Sequence, residues 1–207
     1  MHDTIADYIG YHTCLKHYLL FLREIAKSEN PQDIYAINTF PVAVCDNIRI
    51  NRSRIFQGEQ WRGMITSKQR YFYGLKTHLM VTKAGHIVET FFTPGACHDV
   101  LGLRHFSFDL PHGSVIYADK AYSDYAMEDA LHYAGITFKP LRKKNLKRQF
   151  PPWEVYLQHH YRKQVEVTNS LVTQLFPKSI HAVTASGFEL KVYLFIIATN
   201  IKLRFRQ

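Results

Sequence analysis

The chain has 207 residues, 46% hydrophobic and 14% aromatic, which is enough for the core of one packed domain and excludes a disordered chain. Twenty-six Lys and Arg against seventeen Asp and Glu give a formal charge of +9, which suits a polyanionic partner, nucleic acid foremost. Cys14, Cys45 and Cys97 lack CxxC spacing, no secretory pattern opens the chain, and the longest apolar stretch, 192–198, is too short for a bilayer; the expectation is a reducing, cytoplasmic setting with no structural zinc and no membrane.

Residues 3–28 carry apolar positions at helical spacing, and Ser28-Glu29-Asn30-Pro31 closes that helix. Ile34 to Phe40 reads as a buried strand ended by Pro41. From about 45 to 70 the chain is a polar, basic insertion in which Arg49, Arg52, Arg54, Arg62, Lys68 and Arg70 make a candidate nucleic-acid contact. Tyr71–Thr82 and Ile87–Thr93 form a hairpin across Lys83-Ala84-Gly85-His86. A helix over 100–106 follows, then a strand over 114–118, a helix over 124–134 stopped by Gly135, and a fifth strand over 136–141. Six of the ten residues from Lys139 to Arg148 are basic. A long helix opens at Pro151-Pro152-Trp153 and runs to about Phe176, and a last helix over 186–204 packs Leu190, Leu194 and Ile197 inward. Strands alternating with helices predict an α/β fold with a mixed five-stranded sheet, its first three strands antiparallel, flanked by helices.

Asp119 stands at the carboxyl end of the 114–118 strand, where open α/β sheets gather their chemistry. Arg162 and Glu166 share one face of the long helix, four residues apart. Carboxylates from a strand end and a helix are the layout for a hard cation that activates phosphodiester chemistry. The first strand holds Asn38 where a third carboxylate would complete the set. Each acid also has a structural reading: Asp119 as a helix cap, and Glu166 as the surface partner of Arg162. The basic run, with Arg142, Lys143, Lys144, Lys147 and Arg148, lies in sequence between the two acids and reads either as a phosphate-contacting segment or as a solvated loop.

Several segments recur in an order that carries a family resemblance: Phe40–Arg49, Tyr71–His78, Pro94–Asp99, Asp119-Lys120-Ala121-Tyr122 and Phe176–Ala182. Over roughly 34–200 the chain resembles the catalytic part of bacterial insertion-sequence transposases with a DDE, RNase H-like domain, and among them the nine-eighty-two group of the insertion-sequence-four-like assembly. The resemblance implies metal-dependent cleavage and strand transfer of element ends, by two Mg²⁺ ions with Mn²⁺ as a substitute. It places the three acid positions at Asn38, Asp119 and Glu166, with Asp119 and Glu166 as metal ligands and Asn38 as the substituted first acid. It implies DNA as partner, contacted by Arg162, Lys120 and the 142–148 run, and a His98-Asp99 pair that steadies the site; Asp99 as a helix cap is the plainer alternative. It further implies a homodimer at the bacterial nucleoid and makes residues 1–30 the remnant of an N-terminal region, with the domain proper over 31–207. Where the pattern has glycine, tyrosine and a basic residue, this chain has Ala121, His159 and Thr173. Two other readings remain open: a catalytically silent DNA-binding remnant, which Asn38 favours, and a hydrolytic nuclease of the same fold.

Overall fold

Residues 17–65 and 68–205 are described by a computed structural model, in which one mixed sheet carries helices on both faces. Helix α1 covers 17–28; the first sixteen residues of the expected N-terminal segment lie outside the described residues. The strands are β1 (Ile34–Asp46), β2 (Arg62–Ile65), β3 (Arg70–Thr82), β4 (Ile87–Pro94), β5 (Val115–Ala118) and β6 (Thr137–Pro140). The helices after α1 are α2 (Asp99–Leu103), α3 (Tyr125–Tyr133), α4 (Pro152–Gln174) and α5 (Ala185–Arg204).

Strand β3 lies between β1 on one edge and β2 and β4, placed end to end, on the other. These pairings are antiparallel, whereas β5 and then β6 add to the far side of β1 in parallel. The sheet therefore has six strands, one more than the sequence suggested. The addition, β2, falls inside the basic insertion and is short, with only Gly63 buried, so no alternation of apolar side chains marks it. A Cβ on Gly63 would sit 2.5 Å from the Phe72 ring, which is why a residue without a side chain occupies that place.

Pro41 does not end β1, contrary to expectation. The β1–β5 ladder stops at Ala36↔Tyr117, so the second half of β1 is an edge on that side and tolerates a missing N–H. The β3–β4 turn does fall at 83–86: Gly85, at φ 91°, returns its N–H to the Thr82 carbonyl at 2.9 Å, and its own carbonyl accepts from Thr168 Oγ1 on α4.

Alternation along the strands separates two cores. Ala36, Phe40, Leu75, Leu79 and Tyr117 face α4 and α5, where Val165, Val172, Phe188, Val192 and Ile196 cover them. Tyr35, Ile37, Met80, Ile116 and Ala118 face the other way, beneath Ala26, Leu103 and Leu131 of α1, α2 and α3. Helix α5 buries Ile197 as expected, together with Phe188, Val192 and Ile196, while Leu190 is half-buried and Leu194 stays 47% exposed. Apolar residues nearly encircle this helix, so their spacing located the buried stripe only in part. Among the described residues no helix is long and apolar enough to cross a membrane.

Candidate active site

The inner face beneath α4 brings residues 38, 119 and 166 toward one end of the sheet. Asn38 has the same parity on β1 as the core residues Ala36 and Phe40, and Asp119 continues the parity of Tyr117 beyond β5. Asn38 stands two residues past Ala36 and Asp119 two past Tyr117, the last pair of the β1–β5 ladder, so both lie toward the same end of the sheet. Helix α4 crosses this face, burying Gln158, Val165 and Thr168 and stacking Tyr161 on Tyr117 at 4.9 Å. That packing turns Arg162 and Glu166 to the rim. One guanidinium nitrogen of Arg162 lies 2.9 Å from Glu166 Oε1 and 3.7 Å from Asp119 Oδ2. The two carboxylates, far apart in sequence, thus share one cation.

Their exposure differs: the Asp119 side chain is 33% accessible and that of Glu166 52%, while Arg162 is largely covered at 15%. Asp119 also performs its structural role, since Oδ1 accepts the Lys120 N–H at 2.6 Å and opens the short 3-10 turn Lys120–Tyr122. Asn38 Oδ1 accepts the Thr39 N–H at 2.8 Å. Among the described residues neither neighbouring acid takes its place. Asp33 sits at the opposite end of β5, its carbonyl accepting the Val115 N–H, and Asp46 lies at the far end of β1, paired with Phe72.

Oxygen donors of this kind suit a hard cation in type. Two carboxylates and an amide match one ion whose shell is completed by water or phosphate; they are one negative charge short of a set of three acids. Among the described residues no cluster of three or more His, Cys, Asp or Glu has metal-holding geometry.

The basic run divides sharply. It leaves β6 at the same sheet edge as Asp119, with the Leu141 N–H on the Ala118 carbonyl and Ser123 Oγ on the Leu141 carbonyl. Lys143, Lys144 and Lys147 are exposed there, as is Lys120 beside Asp119. Arg142 is not: its side chain is 3% accessible, forked onto Glu128 and bounded by Tyr125 and Phe150 at 5.1 and 5.0 Å. Arg148 is held by Asp129 at 2.6 and 3.0 Å, an exposed bidentate pair that keeps the Asp129 carboxyl below its ordinary range. Arg142 therefore fastens the loop, and a phosphate would have to compete with Asp129 for Arg148.

His98 occupies the N-cap of α2 without a side-chain capping bond, and Asp99 takes Lys76 Nζ at 3.1 Å. Neither the capping role weighed for Asp99 nor a direct link from this pair to Asp119 or Glu166 is observed among the described residues. A polar chain that sequence reasoning missed lies close by: Tyr122 hydroxyl to Thr39 Oγ1, Thr39 Oγ1 to His78 Nδ1 at 3.3 Å, and His78 Nε2 to Thr93 Oγ1 at 2.9 Å. It ties the residue after Asn38 to the tetrapeptide that carries Asp119. Tyr122 was visible only as a motif letter, and nothing in the spacing links it to Thr39, 83 residues away.

His78 is fully buried, stacked on Phe91 at 4.6 Å and pressed by Gly102, where a Cβ would come within 2.1 Å of the ring. Burial, with Lys76 and His105 adding to it, lowers its pKa to about 3. The unfolded chain takes up the proton near pH 6.5 and the folded chain does not, so this contribution is complete above pH 6.5 and is lost as pH falls from there toward 3. Between pH 7.5 and 5 the expected loss is about 2 kcal/mol. Urea unfolding at the two values will show it, and His78→Gln will flatten the dependence, leaving the smaller share of His86, which burial shifts the same way.

Residues 28–176 match the family model described as Transposase DDE domain, an interval that contains Asn38, Asp119 and Glu166. The fold is similar to that of a piggyBac transposase solved by cryo-electron microscopy as a synaptic complex with hairpin DNA, at a TM-score of 0.59 and 10% identity. That match covers 83% of this chain, which spans only 46% of the piggyBac chain. No curated protein sequence matches significantly. With well over half of its residues inside the matched model, the chain belongs to the DDE transposase domain family.

Proposed function

We propose that this chain is the catalytic portion of a DNA transposase, RNase H-like in fold, that cleaves the ends of an insertion sequence and transfers them to target DNA. The observation that carries the reading is the Arg162 guanidinium shared by Asp119 and Glu166, with Asn38 on the same face toward the same end of the sheet. Three antiparallel strands followed by two parallel to the first support the RNase H-like assignment, and the sequence resemblance supports the nine-eighty-two group.

Asp119 and Glu166 would hold magnesium, or manganese in its place, with the Asn38 amide oxygen as a neutral third donor. Such an ion supplies Lewis acidity at phosphorus and at the departing oxygen. The resemblance implies two ions; the donors present suit one. Arg162 balances the two acids while the site is empty of substrate and is close enough to meet a phosphate that displaces it from Asp119. Lys120, Lys143, Lys144 and Lys147 hold the backbone on the same edge, with Arg148 joining if released, and Lys76 anchors Asp99 nearby. DNA is the partner in this reading; a homodimer and a nucleoid location rest on the resemblance alone.

Asn38 favours a second reading, a DNA-binding chain that no longer cuts. Element-end DNA incubated with the protein and Mn²⁺ separates the cases: joined products support transposition, cut ends without joining indicate a nuclease, and binding alone indicates a silent copy. The loop has its own test. Replacing Lys143, Lys144 and Lys147 by Ala lowers the slope of log Kobs against log salt by about 0.9 for each phosphate no longer neutralised, so by up to roughly 3. An unchanged slope in fluorescence anisotropy removes the loop from the interface.

A further inference from the structure

Far along β1 from the acids lies a second concentration of positive charge. Two adjoining cavities, of about 600 and 620 Å³, open between the 3-10 segment Asn47–Arg52 and the chain that follows α4. Arg49, Arg52 and Arg54 form one wall and Lys178 and His181 the other, with Arg70 at one end. No carboxylate lines either cavity among the described residues, and none pairs with Arg49, Arg52, Arg54 or Lys178 there. All five wall side chains belong to exposed residues.

The walls are built on the core. Phe56, at φ 57° and 4% exposed, plugs into it against Trp61 at 4.5 Å and Phe188 at 5.6 Å, which holds a backbone conformation unfavourable for an aromatic residue. Ser53 Oγ donates to the Ile55 carbonyl at 2.7 Å, fixing the turn between Arg52 and Arg54. On the other side Ile180 and Ala182 pack against the same core, and Lys191 Nζ donates to the His181 carbonyl. Unpaired cations on two anchored walls are costly to bring together and gain most from an anion between them. At about 600 and 620 Å³ the space is too large for a single small ion, and it carries basic side chains on both walls, as a polyanion requires.

We propose that this groove is a second site for the phosphate backbone of duplex DNA, which holds the duplex away from the point of chemistry. This rests on the reading of the chain as a DNA transposase domain. Cys45, which lines the groove, lies seven positions along β1 from Asn38, roughly 20 Å of strand. At about 3.4 Å per base pair, a duplex engaged at the acids would reach the groove some six base pairs away. Two separated backbone contacts fix the register of a duplex in a way that one cannot.

The test is the salt dependence of binding to a fluorescent duplex several helical turns long. Replacing Arg49, Arg52 and Arg54 together by Ala is expected to weaken binding and to lower the slope of log Kobs by two to three, at about 0.9 per phosphate. The same three changed to Lys keep the slope within one of the parent. A variant of the opposite wall, Lys178→Ala with His181→Ala, lowers it by about one, so the result does not depend on one segment folding correctly. If both Ala variants keep the parent slope while the Lys143, Lys144 and Lys147 variant lowers it, the groove proposal is wrong and the transposase reading stands. If the parent does not bind duplex DNA at all, both fall.

Discussion

Changing Asn38 to Asp is expected to tighten Mn²⁺ binding by one to two orders of magnitude and to raise DNA cleavage from background. Position 38 lies on the face covered by α4, two residues past Ala36 as Asp119 is two past Tyr117, so the new carboxylate would face the end of the sheet where Asp119 and Glu166 share Arg162. Two unit charges about 4 Å apart interact by roughly 1 kcal/mol in water and 4 kcal/mol at the effective dielectric near a protein surface. A half-exposed site facing a divalent ion falls within that range or above it. Without metal the variant carries a third negative charge around one Arg162, and its melting temperature should drop and recover when Mn²⁺ is added. Calorimetric titration supplies the affinity, and Asn38→Ala is the control, since it removes the amide without adding charge. Should the Asp variant gain no affinity, positions 38, 119 and 166 do not form one cation site. Should it bind metal and cut while the parent only binds DNA, the natural chain is a silent binder whose single lesion is at position 38.

Much of this site was legible because it depends on local rules. Asp119 could be placed at a strand end because an apolar run precedes it, and Arg162 and Glu166 on one helix face because four residues make nearly one turn. Position 38 came from the family resemblance, which asks for an acid on the first strand. The sequence did not disclose the contacts that join those elements: Arg162 reaching across to Asp119, or Tyr122 to Thr39. Each depends on a register between chains far apart in sequence, and hydrophobic periodicity carries no record of register. Pro41 and β2 misled for a related reason. A proline breaks a ladder only when a strand lies on the side of its missing N–H, and the end of β5 decides that. Within the Lys139–Arg148 run the sequence could not single out Arg142, because charge density looks the same whether a guanidinium meets water or a buried carboxylate.

That difference can be measured at Arg142. Arg142→Ala is expected to cost about 3–5 kcal/mol, because it leaves Glu128, whose side chain is 10% accessible, without its forked partner. For a chain of this size that corresponds to a fall in melting temperature of roughly 10 °C. The destabilisation should be largely reversed in the double variant Arg142→Met with Glu128→Leu, since replacing both members of a buried ion pair by apolar side chains removes the stranded charge. Packing favours the exchange: Tyr125 and Phe150 already border the guanidinium and would border a thioether instead. A phosphate-binding arginine behaves in the opposite way. Its removal leaves thermal stability within about 0.5 kcal/mol, as for other surface changes, and lowers the salt slope of DNA binding by about 0.9. Thermal unfolding and anisotropy on the same samples therefore separate the two roles, and a stable Arg142→Ala protein with a reduced slope would return Arg142 to the DNA interface.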